Sequence, residues 1–201
     1  MLEIINFFNF GTDPKGLAEV SAVLTVVVLL FVVVVGLLLD LIANVELRVL
    51  RRFFGDRVAV NFFNYWTFPG LLMHELAHAL VAIFTGARVL EFHLFDKDGD
   101  SLGHVTYQNR GLIIMRAVQD TFIACAPVVA GIVLGVVVLW HIFCENHAVW
   151  VDVLLWYLFV SIVNHASMSR QDLKNYFGGV WIFVLPVFGV FYLFAQRSVN
   201  F

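Results

Sequence analysis

The chain has 201 residues, of which 61% are hydrophobic and 13% are charged, and its mean hydropathy is +0.90. Soluble domains carry roughly 45–50% apolar and about 25% charged residues, so this composition excludes an ordinary soluble domain. It also excludes a disordered chain, which needs low hydrophobicity and high charge. The chain has 12 basic and 15 acidic residues, so it lacks the excess of basic residues that is typical of a nucleic-acid-binding protein. The sequence therefore predicts an integral, multi-pass membrane protein in contact with the lipid bilayer.

Uncharged runs between charged residues predict the membrane spans, because a helix needs about 20 apolar residues to cross a bilayer core of about 30 Å. Five spans are predicted, at about 20–39, 68–86, 121–144, 153–169 and 175–196. Two β-like runs flank an Asp- and Gly-rich turn within residues 88–107, which predicts a hairpin. The predicted fold class is an all-α membrane protein, a bundle of about five transmembrane helices with a small membrane-associated β-hairpin, forming a single domain over residues 1–201.

One polar motif interrupts the second predicted span. Residues 74–78 read His-Glu-Leu-Ala-His, and on a helix His74 and His78 share a face, so they can offer two imidazole nitrogens to one metal ion. Glu75 lies beside that face, where it can accept a proton from water. Zinc metalloproteases use this H-E-x-x-H arrangement. A carboxylate at mid-span costs at least about 2.5–3.5 kcal/mol on insertion scales, which favours a zinc site over a polar packing cluster.

A catalytic zinc takes three protein ligands and keeps one position for water. The metzincin continuation is excluded, because Val81 and Phe84 stand where its glycine and third histidine would be. Structural or surface roles are expected for four other histidines and two glutamates, which are Glu91, His93, His104, His141, Glu145 and His147. The end of the fourth span therefore remains as the source of the third ligand, with Asp172 and His165 as the candidates.

In these residues the chain resembles the site-2 protease family of intramembrane zinc metalloproteases. That family places H-E-x-x-H on one transmembrane helix and, after an extended segment and one further helix, supplies an Asp from the pattern N-x-x-P-x-x-x-x-D-G. Asn164 precedes Asp172 by the same eight positions, while Ser167 and Leu173 replace the Pro and the Gly. The similarity covers about residues 67–175, a protease-like core that leaves the first and last spans outside it.

The resemblance implies a zinc metalloendopeptidase that cleaves a membrane-protein substrate in or near a transmembrane segment. It implies zinc ligation by His74, His78 and Asp172, a general base at Glu75, and a place for Asn164 near the substrate or its oxyanion. The hairpin is expected to offer an edge strand to an extended substrate. A regulatory membrane partner is a further expectation. Two other functions stay open, a divalent-metal (zinc) transporter and a catalytically inactive protease-like scaffold.

Overall fold

The structure is a computed structural model, and it describes residues 11–94 and 103–199. This part contains seven helices and one two-stranded antiparallel sheet. In chain order the elements are α1 Pro14–Phe54, α2 Asp56–Trp66, α3 Phe68–Phe84, β1 Arg88–His93, β2 His104–Gln108, α4 Ile113–Cys144, α5 Val149–His165, α6 Arg170–Gly179 and α7 Trp181–Val199. The predicted fold class, an all-α membrane bundle with a β-hairpin, is confirmed.

Three of the described helices, α1, α4 and α7, are long and apolar enough to cross a membrane. Two bent pairs reach the same length and hydropathy only when taken together: α2 with α3, at a bend of 64°, and α5 with α6, at a bend of 63°. By length and composition the described chain therefore offers three membrane crossings, or up to five if each bent pair is one crossing. The sequence prediction of five corresponds to the upper value.

The predicted span boundaries differ from the helices at both ends of the chain. Helix α1 has 41 residues, about 60 Å at 1.5 Å per residue, so it extends well beyond the predicted 20–39. Near the C-terminus, residues 175–179 belong to α6, and the last helix begins at Trp181 instead of 175. Helix α5, which corresponds to the fourth predicted span, ends at His165 and not at 169, because Ser169 caps the next helix, α6. The distance between charged residues measures the length of an apolar segment. It does not fix where a helix begins or ends, because helices here continue past charged residues.

The predicted hairpin is confirmed in its two strands, which pair from Arg88 opposite Gln108 to His93 opposite His104. The predicted turn between them lies outside the described residues. Hydrophobic contacts attach the hairpin to the bundle, since Val89 of β1 and Tyr107 of β2 pack on a core cluster that includes side chains of α3 and α4. The hairpin therefore lies directly against the helix that carries the H-E-x-x-H motif.

Close backbone contacts hold the helices around that motif. At Gly70 of α3, an added Cβ would lie 1.8 Å from the carbonyl oxygen of Ser161 in α5. The Gly70 amide donates to the Ser161 hydroxyl at 2.8 Å, and this hydroxyl donates to the Thr67 carbonyl at 2.9 Å. At Gly179 of α6, an added Cβ would lie 2.3 Å from the carbonyl oxygen of Ala117 in α4. Two glycines thus let α3 meet α5 and α6 meet α4 without intervening side chains.

The Gly70→Ala variant is expected to lower the free energy of unfolding by about 3 kcal/mol or more, because overpacking against backbone cannot be relieved by a rotamer change. Thermal denaturation in detergent measures this effect. Gly189→Ala is the matched control, since an added Cβ there meets no atom within 4 Å. Equal stability of the two variants would contradict the close α3–α5 contact.

Candidate metal centre

The two motif histidines point their Nε2 atoms at each other, 3.2 Å apart. His74 Nδ1–H donates to the carbonyl oxygen of His165 at 2.6 Å, and His78 Nδ1–H donates to the carbonyl oxygen of Ile123 at 2.9 Å. A carbonyl oxygen can only accept, so the hydrogen of each neutral ring lies on Nδ1 and the Nε2 lone pair stays available. Helices α5 and α4 thus fix both rings with their ligating nitrogens converging on one point.

Asp172 reaches the same point from the first turn of α6. Its Oδ1 lies 3.5 Å from Nε2 of His78. Its Oδ2 accepts hydrogen bonds from the Ser169 amide at 2.9 Å and from the Ser169 hydroxyl at 2.7 Å, as half of a capping box. One carboxylate oxygen is therefore held by the helix start, while the other faces the histidines. The ligand atoms of His74, His78 and Asp172 all lie within 4.8 Å of one another.

The spacing of these atoms fits a tetrahedral divalent cation. In a tetrahedral site, zinc bonds of about 2.0–2.2 Å put neighbouring ligand atoms about 3.3–3.6 Å apart, close to the observed 3.2 Å and 3.5 Å. Two facing lone pairs at this distance repel each other, and a shared cation removes that repulsion. Metal-bound histidines usually donate their second nitrogen to a carbonyl or carboxylate, as both rings do here. Two imidazoles and one carboxylate thus form a suitable donor set for zinc.

Glu75 faces the same cavity from α3 and is 5% exposed. The cavity has a volume of about 350 Å³ and is lined by side chains of α3, β2 and α6. Gly103, just before β2, approaches the glutamate so closely that an added Cβ would lie 3.0 Å from its Cγ and 3.2 Å from its Oε1. The hairpin therefore covers the carboxylate and sets its position relative to the histidines and Asp172.

The phenol of Tyr107 and the amide of Asn175 also line this cavity, and the sequence analysis predicted neither. Tyr107 Oη accepts a hydrogen bond from Asn175 Nδ2 at 2.8 Å. Burial, and next the charges of Asp120 and Asp172, raise the pKa of Tyr107 to about 12, so the phenol keeps its proton and can donate it. One sequence signal was available: Asn175 follows Asp172 by three positions and so shares its helix face.

Neither Asn164 nor the His165 ring lines the cavity of this centre. Asn164 Nδ2 donates to Glu46 Oε2 at 2.8 Å and lines a different cavity, between α1, α2 and α5. The Thr67 hydroxyl donates to the Phe63 carbonyl at 2.5 Å, so it accepts from His165 Nε2–H at 2.7 Å. The role near the substrate that was expected for Asn164 therefore stays a prediction, and His165 contributes its carbonyl oxygen as the acceptor for His74.

Two further groups of histidine and glutamate in the described residues are close enough to share a cation. One lies on the hairpin and comprises Glu91, His93 and His104, and the other lies where α4 meets α5 and comprises His141, Glu145 and His147. Both are more exposed than the centre in the cavity.

Comparisons of the chain with protein-family models, with curated proteins and with solved structures found no match. The class of protein that the fold and the site define is an apolar helical bundle in which two helices bring two histidines and one aspartate together beside a buried glutamate.

The Ser169→Ala variant is expected to weaken zinc binding at this centre by about 10–100-fold, the usual effect of removing a partner that orients a metal ligand. The variant removes the hydroxyl that holds Oδ2 of Asp172, while the backbone amide contact stays. Competition titration with a zinc chelator measures the affinity. Ser198→Ala is the control, because that exposed hydroxyl donates to the Phe194 carbonyl within α7, far along the chain from the metal centre. An unchanged zinc affinity in Ser169→Ala would contradict a role of the Ser169 hydroxyl in positioning the Asp172 carboxylate.

Proposed function

We propose that this chain is an intramembrane zinc metalloendopeptidase that hydrolyses a peptide bond in or near a transmembrane segment of a membrane-protein substrate. One observation carries the proposal: His74 and His78 of α3 converge with Asp172 of α6, and Glu75 faces the same cavity. The resemblance of the motif spacing to the site-2 protease family supports the same assignment.

The two helix breaks support a location of the metal centre within the membrane. We infer that each bent pair is one crossing, which makes five crossings in the part of the chain that the structure describes. The break in the first pair lies at Thr67, and the break in the second lies at residues 166–169, next to the metal centre. Irregular backbone at membrane depth is tolerated where it is buried in protein or lines a water-filled cavity. The two breaks therefore suit a hydrated cavity within the bilayer.

Different residues of the cavity have different roles in the proposed hydrolysis. Zinc bound by His74, His78 and Asp172 would supply a Lewis acid that polarises the carbonyl and makes water more acidic. Glu75 accepts a proton from water as the oxygen of that water adds to the carbonyl carbon. Glu75 then gives the proton to the amide nitrogen as the carbon–nitrogen bond breaks, leaving a carboxyl and an amine. The phenol of Tyr107 is placed to donate to the carbonyl oxygen as it becomes negative.

The substrate is an extended segment, because a helical one keeps its carbonyl oxygens in internal hydrogen bonds. Strand β2 borders the cavity and pairs with β1 along one edge. No second strand pairs with β2 among residues 11–94 and 103–199. An extended substrate can add to this edge through main-chain hydrogen bonds, with side chains entering the cavity at alternate positions.

Hydrolysis in a defined membrane tests the proposal. The purified protein is reconstituted in liposomes with a panel of single-span peptides that carry helix-breaking residues, and products are identified by mass spectrometry. We expect a new amino terminus in or near the span, loss of cleavage with 1,10-phenanthroline, and recovery with added zinc. Zinc flux without hydrolysis would support a transporter instead, and a folded protein without zinc would support an inactive scaffold.

The Gly103→Ala variant is expected to reduce cleavage by about 10–100-fold while zinc stays bound, because a small displacement of a catalytic group is costly. The added Cβ would press on the Glu75 side chain at 3.0–3.3 Å and displace it from its position. Gly178→Ala is the matched control, since an added Cβ there meets nothing within 4 Å. Full activity in Gly103→Ala would show that the hairpin does not set the position of the glutamate.

A further inference from the structure

Where α4 ends and α5 begins, two histidines and two carboxylates form a second cluster, defined here as the turn cluster: His141, Glu145, His147 and Asp152. His141 Nδ1 lies 2.9 Å from Glu145 Oε1, one helical turn away. His147 Nε2 lies 3.3 Å from Glu145 Oε2. On the opposite side of the ring, His147 Nδ1 lies 3.5 Å from Asp152 Oδ1. The two histidines thus meet at one glutamate.

The turn cluster is separate from the metal centre in the cavity. Along α4, His141 is 18 positions beyond Ile123, the residue whose carbonyl holds His78. At 1.5 Å per residue this separation is about 27 Å. None of the four residues lines the cavity that contains Glu75. A cation at the turn cluster would therefore bind independently of one in the cavity.

His147 is the residue whose surroundings point to a cation. Its side chain is 18% exposed, and its buried Nδ1 atom makes no hydrogen bond. A neutral imidazole has one N–H, yet a carboxylate faces each of its nitrogens. If Nε2 binds a metal ion, then Nδ1–H can donate a hydrogen bond to Asp152, which is the carboxylate–histidine–metal arrangement common in zinc sites.

We propose that His141, Glu145 and His147 form a second divalent-cation site of the zinc class, in which Asp152 orients the His147 ring. The ligand atoms of the three residues lie within 4.8 Å of one another. Two imidazoles and a carboxylate suit zinc better than calcium or magnesium, which prefer oxygen ligands. The site joins the last turn of α4 to the segment that precedes α5, so a bound cation would stabilise the connection between these two helices.

Zinc content per chain tests the proposal directly. The full chain is purified in detergent, loaded with zinc chloride, dialysed against a weak chelator and examined by elemental analysis. We expect two zinc ions in the wild type and one in the His141→Ala/His147→Ala variant. Asn146→Ala is the matched control, because Asn146 is an exposed residue of the same turn, and we expect it to keep two. A turn variant with the same zinc content as the wild type would overturn the proposal.

A second pair of variants separates this site from the proposed catalytic centre. We expect His74→Ala/His78→Ala to keep one zinc ion, held by the turn cluster; a variant that keeps none would overturn the second site. If His74→Ala/His78→Ala loses no zinc but His141→Ala/His147→Ala loses one, the catalytic centre fails and the turn site stands. Asp152→Asn should weaken zinc binding at the turn by about 10–100-fold, and an unchanged affinity would remove its orienting role.

Discussion

Glu75→Gln is expected to abolish detectable peptide cleavage and to leave zinc bound in the cavity. Glutamine has nearly the same size as glutamate and fits the same space beside Gly103, but it cannot accept a proton from water. General acid–base catalysis contributes about 10²–10⁴-fold to rates, so the loss should be at least that large. Cleavage in liposomes and elemental analysis of the same sample measure both parts of the prediction.

The control for this variant is Glu19→Gln, which changes an exposed glutamate of α1 that pairs with Lys15. It removes the same charge from the chain and should keep full activity. Cleavage at the wild-type rate in Glu75→Gln would eliminate the glutamate as the base, whatever the zinc content of the sample.

His78→Ala is expected to lose both zinc from the cavity and all cleavage. Loss of a partner that only orients a ligand weakens metal binding about 10–100-fold, so loss of the ligand itself should exceed about 100-fold. The substitution removes the Nε2 atom that lies 3.2 Å from His74 Nε2 and 3.5 Å from Asp172 Oδ1. A zinc titration monitored with a competing chelator measures the change.

His165→Ala is the matched comparison, because this histidine is also near the centre and was a candidate ligand from the sequence. Its ring bonds to Thr67, and its backbone carbonyl, which holds His74, survives the substitution. We expect this variant to be less stable but to bind zinc with wild-type affinity. Zinc loss in His165→Ala together with zinc retention in His78→Ala would show that His165, and not His78, is the zinc ligand.

The sequence was sufficient for features that depend on local pattern. Charge-free runs located the apolar helices, and alternating residues around an Asp-Gly turn located the hairpin, because both are set by short-range periodicity. The sequence also contained a sign that was not used. Ser169 and Asp172 have the S-x-x-D spacing of a capping box, which predicts a helix beginning at Arg170 and thus the break after His165.

Features that depend on tertiary packing could not be obtained in this way. Asn164 has the spacing of the family motif, but its amide faces Glu46, which is 118 positions earlier in the chain. The pair formed by Tyr107 and Asn175 joins residues 68 positions apart across β2 and α6. Spacing along a chain fixes which residues share a helix face, and only packing decides what that face meets.

The most direct measurement is the zinc content of a chain in which the turn cluster is removed by His141→Ala and His147→Ala, compared with the same chain carrying Asp172→Ala. We expect one zinc ion in the first protein, none in the second, and one in a control with Asp56→Asn, an exposed aspartate that pairs with Arg51. An equal zinc content with and without the Asp172 carboxylate would contradict a cation held jointly by α3 and α6.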